Sequence, residues 1–175
     1  IAALLTSAGN NSVFYRAAAW AGIIHGVIAV HEYIEAPPIP LTWLDPAARS
    51  LFRTRCAGIF TDPNVFAAFL AALFILSLGL LLNASSRSER VLAGTAILLE
   101  GLAIFTTLSR GGWIGLAAGL FTAAVLIFRC QAPLNPGFWR PLLLVGLILT
   151  AVFFIGPFKM RFLSIGNPQD MTFAQ

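Results

Sequence analysis

The feature that most constrains this chain is a succession of apolar runs, at roughly 13–30, 63–82, 91–108 and 112–128, with a fifth at 141–156. A helix that crosses a bilayer needs about 20 mostly apolar residues, and these runs meet or approach that length. In lipid an isolated strand cannot satisfy its backbone hydrogen bonds, and the runs lack the alternation of a closed barrel, so helices are expected. With 58% hydrophobic and 10% charged residues and a mean hydropathy of +0.85, the chain has few polar groups to cover an ordinary water-facing surface. The expected fold is therefore all-α, a polytopic integral membrane bundle of about five transmembrane helices. Residues 1–175 read as one membrane domain, a piece of a longer chain that opens at Ile1 and breaks off at Gln175 in a polar stretch.

The connections carry local punctuation. Asp62 before Pro63 is an N-cap followed by a first-turn proline, which starts the second run. The polar stretch 83–90 is short enough to make the second and third runs an antiparallel hairpin, and Ser-Arg-Gly-Gly at 109–112 forces another tight reversal. Trp43, Trp113 and Trp139 fall near the expected interfaces. The longest connection, 35–62, reads as an external loop: its prolines favour extended chain, and Asp45 and Pro46 open a short interfacial helix with Arg49 and Arg53 on one face. Residues 157–175 read as the start of a larger external loop.

Two crossings return a chain to the face it left, so five spans put Arg49, Arg53, Arg55, Arg110, Lys159 and Arg161 on one face and Arg16, Arg87, Arg90, Arg129 and Arg140 on the other. Six against five gives no orientation by the positive-inside rule. The net charge of +4 is scattered through these connections, where arginines meet lipid phosphates, which points to a lipid bilayer as partner and away from nucleic acid. Cys56 and Cys130 lie three crossings apart and lack metal-site spacing. His31, Glu32 and Glu35 imitate a zinc helix but lack the second histidine of HExxH, so no metal is expected. His25 reads as a packed neutral histidine. Glu100, inside the third run, reads either as a functional intramembrane acid or as a protonated carboxyl hydrogen-bonded between helices. No Walker-type loop and no Ser, His and Asp set stands out, and no cofactor is expected.

The chemistry concentrates at arginines. Arg55 lies in RTRCAGIFTDPN and Arg110 in TLSRGGW, a Gly-flanked turn that backbone and ligand can approach closely. Guanidinium groups hold phosphate oxygens through bidentate, charge-assisted bonds and stay charged. Exposed amides near Pro63 and Asn64 add to such an anion site. The alternative is that these arginines simply snorkel to lipid headgroups.

Arg55, Gly58, Phe60, Asp62, Pro63 and Asn64, followed directly by an apolar run, resemble a signature of the O-antigen ligase and O-antigen polymerase superfamily; Thr107 to Leu116 is similar to its Ser-Arg-Gly turn, and Arg161 to Ile165 to the opening of its large loop. Asp62 departs from the asparagine often found in that signature. The resemblance implies a bacterial inner-membrane, multi-pass glycosyltransferase of the lipopolysaccharide type. Such an enzyme moves or polymerises a glycan from undecaprenyl pyrophosphate onto an acceptor at the periplasmic face, without metal or nucleotide sugar. It further implies that Arg55 and Arg110 bind the pyrophosphate, with Asn64 and Arg161 secondary, and leaves the catalytic base unknown. A bicarbonate-type anion transport protein is the alternative.

Overall fold

The computed structural model describes residues 8–40 and 54–130. Four helices occupy them: α1 (Ala8–Glu35), α2 (Pro63–Asn83), α3 (Arg87–Thr106) and α4 (Arg110–Cys130). The core lies where α1, α2 and α3 meet, around Phe66, Leu70, Leu81, Ile97 and Ile104, and α4 packs chiefly on α2.

Each boundary has a local cause. Asp62, in extended conformation, accepts hydrogen bonds from the amides of Asn64 (2.6 Å) and Val65 (3.4 Å), and Pro63 takes the first turn, where no amide donor is needed. Ser86 and Glu89 form a reciprocal capping box at the start of α3. The Glu89 carboxylate also takes the Arg16 guanidinium, tying the start of α3 to α1. That guanidinium, with the amides and hydroxyl around Ser85, holds the Glu89 carboxyl down to about 2. Close approach of α1 to α3 rests on small residues: a Cβ at Gly26 would sit 2.6 Å from Leu99 Cβ and 3.0 Å from its backbone carbon.

The expected polytopic bundle of about five transmembrane helices is not the observed architecture. The described residues form a compact four-helix bundle in which only Ser12–Glu35 and Pro63–Asn83 are long and apolar enough to cross a membrane. The third run fails that test because α3 opens with Arg87, Glu89 and Arg90 and carries Glu100. The fourth offers only the shorter apolar stretch Arg110–Leu126. Apolarity on all sides is equally the signature of a helix buried in a protein core, and α2 and α3 bury much of their surface against their neighbours. The fifth run, the interfacial helix at 45–53 and the loop at 157–175 lie outside the described residues. The two-faced arrangement of arginines counted from five crossings falls with the five-span reading.

Candidate functional site

The segment 54–62 is tied to three helices at one end of the bundle. The Thr54 hydroxyl donates to Pro37 O (3.0 Å), and the Cys56 amide donates to Thr106 O (3.1 Å). The Glu32 carboxylate accepts from the amides of Ala57 and Gly58, the latter at 2.8 Å. Successive amides turned towards one point make an anion-binding nest, which requires a left-handed residue. Gly58 supplies it with φ +57°, and a Cβ there would lie 2.7 Å from Phe66 Cζ. Glycine is thus demanded twice, by conformation and by space. Beside it, Phe60 stacks on Phe66 with ring centroids 5.7 Å apart, and the His25 ring packs against Phe60, Phe66 and Phe69.

Arg55 leaves this segment and enters the protein. Only 5% exposed, it donates from Nε to Thr107 O (2.7 Å) and from Nη2 to Asn64 Oδ1 (2.8 Å). The same Asn64 oxygen accepts from the Ser109 hydroxyl (2.9 Å), and Ser109 Oγ accepts from the Gly112 amide (3.1 Å) in the manner of an N-cap on α4. Gly112 is held to small size, since a Cβ there would meet Ala67 Cβ at 2.5 Å. Arg110, the next residue after Ser109 and the first of α4, is 8% exposed. Leu108, in the same turn, is almost fully buried and left-handed at φ +53°. For a bulky L-residue that conformation costs roughly 1–2 kcal/mol and is held in place only by its surroundings. Asn64 itself is exposed, so the corner opens to the outside at this residue.

The structure therefore brings Arg55, Asn64 and the Ser109–Arg110 turn into one corner, joined through a single amide oxygen. Arg161 lies outside the described residues. Sequence reading missed the role of Glu32: what resembled an incomplete zinc helix is a carboxylate bound to backbone amides, with His31 paired at the surface to Glu35 (3.4 Å). The signal available was a glycine two residues after the cysteine in a loop long enough to reach back to the end of α1. Glu100 is fully buried and accepts from the Ser77 hydroxyl at 2.9 Å, an arrangement between helices. Cys56 is also fully buried, its thiol donating to Ala29 O (3.4 Å), and burial pushes that thiol up to about 12.

Comparison with family models, with characterised proteins and with solved structures finds no match. The superfamily resemblance rests on the motif residues alone. The function drawn from it, a multi-pass bacterial inner-membrane glycosyltransferase acting on a lipid pyrophosphate, is overturned by the architecture. Among the described residues there is a densely packed four-helix bundle with two membrane-length apolar helices, and no group of three or more His, Cys, Asp or Glu that could hold a metal ion. No catalytic set accompanies the arginines there. The lipopolysaccharide-pathway role and the alternative of anion transport through a multi-span path go with it. The arginine of the first motif is turned inward, where Thr107 O and Asn64 Oδ1 hold it, because a buried guanidinium needs acceptors wherever the fold supplies them.

Proposed function

We propose that this chain is a helical module that binds a phosphate-type oxyanion at the corner formed by Arg55, Asn64, Ser109 and Arg110. The observation that carries the reading is convergence: Arg55 of the first motif is bound to Thr107 O and, through Asn64, to Ser109, which places it beside the strained turn where Arg110 of the second motif begins α4, both arginines being buried. A tetrahedral oxyanion suits them, because a guanidinium fork matches its oxygens and the positive end of α4 begins at Arg110. Asn64 Oδ1 holds the Arg55 fork and the Ser109 hydroxyl in fixed relation, so the site's geometry is set before a ligand arrives.

Titration calorimetry of the purified full chain with inorganic phosphate and pyrophosphate tests this. Saturable binding is expected, weakening with salt. Arg110→Gln is expected to lower affinity at least tenfold, in line with the roughly 1.5–3 kcal/mol of a hydrogen bond to a charged group. No binding by the wild type, or equal affinity in a variant that melts like wild type, leaves the arginines as internal staples only.

A further inference from the structure

Away from that corner, the seam between α1, α2 and α3 encloses an acid that the proposed binding does not use. Glu100 of α3 is fully buried; its Oε1 accepts from Ser77 Oγ of α2 (2.9 Å), and its Oε2 is buried with no hydrogen-bond partner. On the third side stands Gly22 of α1, where an added Cβ would overlap Glu100 Oε1. The glycine makes room for a carboxyl in a seam otherwise filled by apolar side chains. Among the described residues no cation forms an ion pair with it. α2 carries no titratable residue, and the basic residues of α1 are Arg16, committed to Glu89, His25, packed among Phe60, Phe66 and Phe69, and His31, paired with Glu35. Arg110 and Arg129 stand at the two ends of α4, and Arg87, Glu89 and Arg90 at the start of α3.

We infer that Glu100, Ser77 and Gly22 form a proton-operated latch: the seam closes on the neutral carboxyl, and loss of that proton releases α1 from α2 and α3. This goes beyond the oxyanion reading and does not depend on it. A neutral carboxyl satisfied by one hydroxyl is tolerable in an apolar seam, whereas a carboxylate with an unpartnered oxygen is not. Opening the seam returns the group to water, where it ionises. Burial, opposed in part by the Ser77 hydrogen bond, raises the Glu100 carboxyl from 4.5 to about 8 in the closed form. Opening then releases one proton through that interval. The closed state is most secure below the lower value, weakens as pH rises towards the upper one, and changes no further above it.

Cys56 reports on the latch, because α1 covers it through Ala29. In the full chain with Cys130→Ser, the labelling rate of Cys56 by a maleimide is compared between the Glu100 protein and Glu100→Gln, a ratio that cancels the thiol's own pH dependence. The ratio is expected to rise about tenfold per pH unit between pH 5.5 and 7.5 and to level near 8. His25→Asn is expected to leave this rise intact. A flat ratio, or a rise that His25→Asn abolishes, overturns the latch. Hydrogen exchange at pH 8 separates release of α1 from general unfolding: α1 amides should lose protection before those of α2 and α3, and uniform loss over all four helices contradicts the inference. Should Glu100→Gln fail to fold, Ser77→Ala substitutes for it. Without the hydroxyl that favours the ionised form, levelling should move to higher pH, and an unmoved levelling point refutes the assignment.

Discussion

Gly58→Ala is the substitution on which the local architecture of the 54–62 segment can be judged. At φ +57° an alanine forgoes roughly 1–2 kcal/mol relative to its ordinary backbone conformations. Its Cβ would also stand 2.7 Å from Phe66 Cζ and 3.0 Å from both Cε atoms, a ring with no exposed surface that cannot swing aside. Forcing a methyl into a packed core costs about 1–3 kcal/mol, so a total of about 2–5 kcal/mol is expected. A loop shift that relieves the clash would instead pull the Ala57 and Gly58 amides from the Glu32 carboxylate, with a loss of similar order. Urea unfolding followed by circular dichroism measures the change, with Gly115→Ala as the control. At Gly115 nothing lies within 4 Å of an added Cβ, so alanine should stabilise α4 by up to about 1 kcal/mol. A Gly58→Ala protein within about 0.5 kcal/mol of wild type would refute both the left-handed turn and the Phe66 contact.

Further outcomes follow from the caps and the buried thiol. Glu89→Ala removes the capping-box partner of Ser86 and the anchor of Arg16, and should lower stability by about 1–2 kcal/mol in urea unfolding. Because Glu89 is held well below its unfolded value, its stabilisation is full above about pH 4.5 and is lost as pH falls towards about 2; acid titration should show this decline in wild type and not in Glu89→Ala. Ser109→Ala removes both the α4 cap and the second donor to Asn64, which should cost about 1–2 kcal/mol and weaken phosphate binding by calorimetry. At pH 6 and low reagent concentration, Cys56 should label far more slowly than in urea-unfolded protein; equal rates would contradict its burial.

What the sequence disclosed was mostly local. The Asp62 cap, the proline at the start of α2 and the tight turn before α4 follow from short-range backbone chemistry, and the structure has all three. What failed was the step from apolar length to architecture. A run such as 91–108 has the composition of a span, but Glu89 just before it is held by Arg16 of α1 and one oxygen of Glu100 within it by Ser77 of α2, contacts between residues far apart in the sequence. The candidate site was legible in part. Arg55, Asn64 and Arg110 stood out by chemistry, yet the hydrogen bonds joining Asn64 to Arg55 and Ser109 depend on a reversal in space between α3 and α4. Glu32 was misread because its partners are backbone amides, which carry no side-chain signature.

A double-substitution cycle at the arginine corner tests the central claim most directly, with pyrophosphate affinity as the readout for wild type, Arg55→Lys, Arg110→Lys and the pair. If both guanidinium groups grip one anion, each single change should weaken binding at least several-fold, and the pair should depart from additivity by about 0.5 kcal/mol or more. Additive or absent effects in variants that keep the wild-type melting temperature would show that the two arginines hold the bundle together without sharing a ligand.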